Sequence, residues 1–240
     1  MLKDQIAIVT GASRGIGREI SVKLAEQGMK LTLVGSSAQV TETASELKKL
    51  GFENVLPVQA DVSNEEDMLR VVQYTIDAYG SVDVLVNNAG VGFFKLTEDV
   101  TVDEWRKVFE VNVQGVFLAT KAVLPHMKKK RSGTVITISS DVGRYTIPNG
   151  SAYTATKYAV QGFSGSVAQE VREYGIRVGT INPGMVDTYF AESEQGLPEK
   201  KDWLKVADIA NAVVYMASAP KHMIIDEIVL HPFVQQYPIA

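Results

Sequence analysis

The chain reads Thr10-Gly11-Ala12-Ser13-Arg14-Gly15-Ile16-Gly17 directly after the apolar run Ile6-Val9 and before an amphipathic segment that continues to about Gln27. Glycines in such a turn let the backbone bend sharply and approach a pyrophosphate, while the helix N-terminus offers unpaired N–H groups and partial positive charge. Many strand-to-helix connections contain glycine for conformational reasons alone. The turn by itself therefore leaves phosphate binding and a plain connection both open.

Short β-branched runs recur along the rest of the chain and predict buried strands. Longer segments with helical periodicity separate them, and parallel strands need crossovers of that length. The pattern predicts a Rossmann-like α/β fold with a doubly wound parallel sheet of about seven strands and helices on both faces. With no repeat or linker, the 240 residues predict one domain over 1–240. The predicted strands are Ile6-Val9, Leu31-Val34, Val55-Val58, Val84-Val86, Val135-Ile138, Val178-Ile181 and Ile224-Leu230.

Helix boundaries have signals of their own. The patterns Ser63-x-x-Glu66 and Thr101-x-x-Glu104 predict capping boxes, and Gly51 predicts a helix stop. The basic run at 128–131 precedes Ser-Gly and predicts a solvated helix end that complements the helix dipole. Trp105 falls in the Thr101-capped helix, where packing is expected more than a ligand platform.

Composition and charge limit the function classes. A formal charge of -4 gives no general attraction to nucleic acid or anionic lipid, so neither partner is expected. The absence of cysteine excludes disulfides, thiolate catalysis and Cys-ligated metals. His126, His222 and His231 have no metal-ligand spacing, so no metal is predicted. The apolar run before the glycine turn is too short for a signal segment or a membrane span, and we expect a cytoplasmic protein.

Motifs further along the chain indicate a family. The spacing Gly-x-x-x-Gly-x-Gly resembles that of the short-chain dehydrogenases/reductases, and other motifs of that family follow in its order and near its spacing. They are Asp61-Val62, Asn87-Asn88-Ala89-Gly90, Asn112, Ser140, Tyr153-x-x-x-Lys157, Asn182-Pro183-Gly184 and Thr188.

The resemblance implies a nicotinamide dinucleotide cofactor. NAD enzymes place an acid after the second strand to hold the ribose 2′-hydroxyl, but Ser36 and Ser37 stand there, which favours NADP(H) over NAD(H). Arg14 matches a position where the family often pairs an arginine with the 2′-phosphate, although an exposed loop charge is the alternative and Ser36 replaces a second arginine of many NADP relatives. The implied cofactor-binding residues are Gly11, Ser13, Arg14, Gly15, Ile16, Gly17, Ser36, Asp61, Val62, Asn88, Ala89, Gly90, Tyr153, Lys157, Pro183, Gly184, Val186 and Thr188.

Tyr153 and Lys157 carry the predicted chemistry. Four residues apart on one helix, they project from the same face. A neighbouring ammonium lowers the pKa of a phenol from about 10, so Tyr153 is predicted to be the general acid in reduction and the base in oxidation. By resemblance, Ser140 donates to the carbonyl oxygen, Lys157 also binds the nicotinamide ribose, and Asn112 holds a water that links Lys157 to solvent. A surface Tyr-Lys pair and a Ser-Lys hydrolase are the alternatives.

Substrate choice stays open at this stage. We expect a substrate-binding loop around 185–205, with contributions from Phe93-Phe94 and from the segment 142–147 (Val142, Arg144, Tyr145 and Ile147). The resemblance extends to 3-oxoacyl-carrier-protein reductases, in which two arginines dock the acidic carrier protein. Arg131 matches one of these two positions, and Tyr174 occupies the other. The C-terminal sequence after His222 is more similar to NADP-dependent 3-hydroxy-acid and serine dehydrogenases.

The sequence is compatible with two further functions. A broader aldehyde/ketone reductase is the third substrate class, and a non-catalytic NAD(P)-sensing regulator is the alternative from another function class. Regulators of that kind usually lose Tyr or Lys of the site, and this chain keeps both. The resemblance also implies a homodimer or homotetramer.

Overall fold

The protein is described here by a computed structural model that covers residues 2–236. Its strands form a seven-stranded sheet in the order β3-β2-β1-β4-β5-β6-β7, and every neighbouring pair is parallel. The predicted strands and the doubly wound fold are confirmed, although the last strand begins at Glu227 instead of Ile224. The strands are β1 (Ile6–Thr10), β2 (Lys30–Gly35), β3 (Val55–Gln59), β4 (Val84–Asn87), β5 (Gly133–Ile138), β6 (Ile176–Pro183) and β7 (Glu227–Leu230).

Helices cover both faces of the sheet because successive strand side chains point to opposite sides. Along β1, Ala7 and Val9 join a core with residues of α1, α2 and α7, whereas Ile8 joins a second core with residues of α3, α5 and α6. The helices are α1 (Gly15–Glu26), α2 (Gln39–Lys49), α3 (Glu65–Tyr79), α4 (Val102–Phe109), α5 (Gly115–Lys130), α6 (Ser151–Val171) and α7 (Val206–Ala217).

The helix ends confirm one predicted capping box and correct the other. Thr101 and Glu104 form the reciprocal pair at the start of α4. The box predicted from Ser63 is wrong: α3 is capped by Asn64, whose Oδ1 accepts from Asp67 N at 3.0 Å. Ser63 Oγ instead donates to Asp61 Oδ1 at 2.7 Å, because that carboxylate is the stronger nearby acceptor.

The other predicted ends are also present. Gly51 follows α2 with φ +94°, and Arg131 ends α5 in the left-handed conformation after its three lysines. Trp105 does pack, but at the surface: it is 42% exposed and stacks on Phe109 with ring centroids 4.6 Å apart.

The strand order explains where a site can form. The order reverses between β1 and β4, so the connections after these two strands run to opposite faces and leave a crevice at the carboxyl edge of the sheet. Among residues 2–236 no helix is long and apolar enough to cross a bilayer, and no cluster of metal-ligating side chains occurs. The predicted domain boundaries, residues 1 and 240, lie outside the described range.

Candidate active site

The glycine turn after β1 has no room for side chains. Gly11 and Gly15 adopt φ +65° and +56°, in the region that favours glycine. A Cβ on Gly17 would lie 2.1 Å from the Gly11 carbonyl oxygen, and one on Gly15 would lie 2.8 Å from Thr188 Oγ1. No described side chain caps α1, and its first turn holds no acid. Its N–H groups therefore suit a bound anion such as a pyrophosphate.

The connection after β4 is tied to this turn. Asn88 Nδ2 donates to the carbonyl oxygens of Thr10 at 2.9 Å and Gly11 at 3.1 Å. Thr10 Oγ1 accepts from the backbone N–H groups of Asn88 and Ala89 at 3.0 and 3.1 Å. These four bonds hold the turn after β1 and the segment after β4 together. The sequence motifs gave the order of these two segments along the chain but not their contact.

The residues predicted to meet the adenosine end lie along the same edge. Ser36 is exposed after β2, and Arg14 is exposed at the start of α1, with its guanidinium 5.5 Å from the centroid of the Tyr189 ring. Asp61 accepts from Ser63, which holds the pKa of its carboxyl below the usual range. The end of β2 thus presents hydroxyl groups and no carboxylate.

Ser140, Tyr153 and Lys157 come together at the carboxyl end of β5. All three are buried, and Ser140 lies close enough to the Tyr153 phenol to lower its pKa against the effect of burial. Lys157 Nζ donates to Ile138 O at 3.1 Å and lies 5.4 Å from the centroid of the Tyr153 ring. The structure thereby excludes a surface Tyr-Lys pair, because the two side chains lie in the interior of the crevice.

Burial sets the protonation of this pair. It raises the pKa of the Tyr153 phenol, an effect that the nearby charge of Asp141 increases and the hydrogen bond from Ser140 opposes. Burial also lowers the pKa of Lys157 to about 8. The expectation of a lowered Tyr153 pKa is therefore wrong for this structure, because burial disfavours the phenolate.

Asn112 lies in a π-helical segment, Glu110–Gln114, between α4 and α5. Its Oδ1 accepts from Val91 N at 2.9 Å, and its Nδ2 donates to Val91 O at 2.8 Å and to Thr156 Oγ1 at 3.1 Å. The side chain thus connects α6 to the segment after β4. Its predicted role in holding a water stays a prediction.

Aromatic side chains border the phenol. The Phe190 and Phe94 ring centroids lie 5.0 and 6.2 Å from that of Tyr153. Phe190 comes from the predicted loop around 185–205, and Phe94 from the predicted pair. A Cβ on Gly92 would lie 2.3 Å from Phe190, so glycine is needed for this ring to approach.

The other residues named for substrate binding are placed differently. Arg144 forms an ion pair with Glu227 at 3.1 Å, Val142 is buried, Ile147 is exposed, and the Tyr145 ring lies 6.5 Å from that of His231. Phe93 lies beneath the ammonium of Lys95.

A family model for short chain dehydrogenases matches residues 5–196. The chain belongs to the short-chain dehydrogenase family. As a member it is an oxidoreductase that acts on CH–OH or carbonyl groups. An uncharacterized oxidoreductase of Staphylococcus epidermidis is 36% identical over 235 residues, which cover 96% of this chain and 98% of the relative.

Two solved structures show the likeness in three dimensions. An alcohol dehydrogenase from the archaeon Thermococcus sibiricus, complexed with 5-hydroxy-NADP, has a TM-score of 0.92 and 34% identity, covering 98% of this chain and 99% of that one. A 3-ketoacyl-(acyl-carrier-protein) reductase from Brucella melitensis, complexed with NADH, has a TM-score of 0.89 and 28% identity, covering 97% and 99%.

Several residues of this short-chain dehydrogenase escaped the sequence analysis. Lys200, only 3% exposed, donates from Nζ to the carbonyl oxygens of Thr188, at 2.9 Å, and of Glu194, which fixes the loop after β6. Asp141 lies against Ser140, and Gln235 reaches it from the C-terminal segment. No motif marks these residues, because a lysine or glutamine in a polar loop has no periodicity that indicates burial.

Proposed function

We propose that this short-chain dehydrogenase is an NADP(H)-dependent reductase of small aldehydes and ketones with apolar substituents. One observation carries the proposal: the Tyr153 phenol is buried beside Lys157 and near Ser140 in the crevice at the carboxyl edge of the sheet. This is the arrangement needed to give a proton to a carbonyl oxygen as it gains charge.

Ser140, Tyr153 and Lys157 would have different roles at the carbonyl oxygen of the substrate. With substrate bound, the Ser140 hydroxyl would turn its one proton from Asp141 Oδ1 to the carbonyl oxygen, and Tyr153 would donate to the same oxygen, which orients the substrate. The cofactor, when bound, supplies the hydride. As negative charge develops on the oxygen, Tyr153 would transfer its proton there, and the ammonium of Lys157 would stabilise the resulting phenolate. Asn112 would hold a water for proton resupply through Lys157.

The glycine turn fits the cofactor's pyrophosphate, since it offers bare N–H groups and leaves no space for side chains. The segments 61–62, 88–90 and 183–188 would contact the rest of the dinucleotide. Arg14 and Ser36 would bind the 2′-phosphate, and the absence of a carboxylate after β2 favours NADP(H) over NAD(H).

Substrate class follows from the groups that face Tyr153. Phe94 and Phe190 provide apolar walls, and the carboxylate of Asp141 lies behind Ser140. Apolar walls favour apolar substituents, and a buried carboxylate disfavours an anionic substrate such as a 3-hydroxy acid.

A 3-oxoacyl-carrier-protein reductase remains the second candidate. Arg131, at one of the two docking positions, donates to the Glu173 carbonyl and lies over the Tyr174 ring at 5.7 Å. The second docking arginine is missing, so an acidic carrier would find one guanidinium already engaged.

We also propose the assembly and location that the family likeness implies. The chain would act as one domain, in the cytoplasm, as a homodimer or homotetramer. Exposed Trp105 and Phe117 on α4 and α5 support self-association, because clusters of exposed aromatic side chains often mark interfaces.

Tyr153→Phe tests the proposed chemistry. NADPH oxidation would be followed with a panel of aldehydes, diketones, β-keto esters and an acyl-carrier mimic. Loss of the proton donor should lower kcat by at least about 100-fold while the NADPH dissociation constant stays nearly unchanged. Tyr158→Phe, on the exposed part of the same helix, is the matched control. Full turnover by Tyr153→Phe would exclude Tyr153 as the acid. If the wild-type protein binds nucleotide but turns over no substrate of the panel, the non-catalytic NAD(P)-sensing regulator would be favoured.

A further inference from the structure

A carboxylate lies directly behind the proposed site. Asp141 follows Ser140 and is 6% exposed. Its Oδ1 accepts from Ser140 Oγ at 3.1 Å, and its Oδ2 accepts from Gln235 Nε2 at 2.6 Å. His231 Nε2 lies 3.4 Å from the same Oδ2. A buried acid with partners from a segment 90 or more positions away in the chain is an organised arrangement and no accident of a surface turn.

Gln235 extends this arrangement to the segment that follows β6. Its Oε1 accepts from Met185 N at 2.9 Å, at the start of the loop predicted to bind substrate. A Cβ on Gly184 would lie 2.1 Å from the same oxygen, so the glycine makes room for the amide. One side chain therefore joins the turn that carries Ser140 to the loop after β6.

We propose that Asp141, anchored by Gln235, is a positioning residue that holds the Ser140 hydroxyl in place in the resting site and maintains a negative charge beside Tyr153. The proposal rests on the proposed reductase function and assigns a part in it to the C-terminal segment. Asp141 touches neither substrate nor hydride; it acts through Ser140 and Tyr153.

The negative charge of Asp141 acts on the Tyr153 phenol in one direction. A carboxylate near a phenol disfavours the phenolate, and Asp141 does raise the pKa of Tyr153. Reduction needs the protonated phenol, whereas oxidation needs the phenolate, so Asp141 biases the site toward reduction. The other titratable groups near it are Tyr153 from α6 and His231 after β7, while Arg144 of its own turn is paired with Glu227.

Asp141→Asn tests the charge, because asparagine keeps the size and an acceptor oxygen. The pH dependence of kcat/KM for alcohol oxidation should rise at lower pH than in the wild type, by about one pH unit, since the phenol ionises more easily. Asp103→Asn, which removes a carboxylate that is 92% exposed, should leave the profile unmoved. An unmoved profile with a uniform loss of rate for Asp141→Asn would overturn the proposal.

Gln235→Leu tests the anchor without any substrate. Amide hydrogen exchange at Met185 should become at least about tenfold faster, because its N–H loses its acceptor. Gln236→Leu, next along the chain and exposed, is the control. Unchanged protection of Met185 would refute the anchoring. Since exchange is read on the resting protein, this failure is distinguishable from a failure of the reductase proposal.

Discussion

Tyr153 and Lys157 show how burial acts on two opposite charges. Burial raises the pKa of the phenol and lowers that of the ammonium, so the neutral form of each side chain is stabilised relative to its charged form. With its pKa at about 8, Lys157 is still mostly charged at neutral pH, whereas Tyr153 keeps its proton. The resting site is therefore ready to donate a proton and poorly prepared to accept one. At the level of single residues, this favours carbonyl reduction at neutral pH and alcohol oxidation at higher pH.

Arg14→Ala tests cofactor choice. If Arg14 binds the 2′-phosphate, its loss should weaken NADPH binding by about 10- to 100-fold, because hydrogen bonds to charged groups contribute about 1.5–3 kcal/mol. NADH, which has no such phosphate, should bind nearly as before. Arg18→Ala is the matched control, since Arg18 lies one turn further along α1 and pairs with Glu46 of α2. Nucleotide titration by fluorescence measures both constants, and equal losses for the two nucleotides would reject the contact.

At the level of elements, the strands were predictable because a doubly covered parallel strand must be apolar at consecutive positions. The cap of α3 was not, because Ser63 and Asn64 are both good capping residues and adjacent in sequence. Only the contacts of Asp61 decide between them: this carboxylate binds the Ser63 hydroxyl and leaves Asn64 to the helix. Competition of this kind depends on side-chain positions that no local pattern contains.

A pair of variants tests this assignment of the cap. Asn64→Ala should lower the free energy of unfolding by about 1 kcal/mol, because the N–H of Asp67 loses its acceptor. Ser63→Ala should cost less, since its hydroxyl bonds an exposed carboxylate whose oxygens water can satisfy. Urea denaturation at equal protein concentration measures both. The reverse ranking would restore Ser63 as the cap.

Across the whole molecule, the sequence motifs identified the edge of the sheet at which the site forms, but not the long-range side-chain contacts that connect its segments. Ser140, Tyr153 and Lys157 were predicted because they match the motifs of the short-chain dehydrogenase family in order and in spacing. Asp141 and Gln235 were not, because their contact joins residues far apart in the chain through side chains alone. The raised pKa of Tyr153 was missed for a related reason, since desolvation depends on the packing of Phe94 and Phe190 from distant segments.

The crevice lies between the two halves of the sheet, so cofactor binding should stabilise the whole fold. The turn after β1 and the segment after β4 would both contact the dinucleotide, and Asn88 already joins them. A ligand that binds only the folded state at 100 times its dissociation constant contributes about 2.7 kcal/mol, which should raise Tm by about 5–10 °C for a chain of this size. Differential scanning fluorimetry at fixed protein concentration measures the shift.

The concentration dependence separates this linkage from an unspecific effect. NADPH should reach half of its shift at a lower concentration than NADH, because only NADPH offers the phosphate that Arg14 and Ser36 would bind. In Arg14→Ala the half-shift concentration of NADPH should move toward that of NADH, with the NADH shift unchanged. Hydrogen exchange should slow in β1 and in β4 together, since the bound dinucleotide would hold both connections. A shift confined to one half of the sheet would mean that the nucleotide does not span the crevice, and identical curves for both nucleotides in the wild type would contradict the NADP(H) preference.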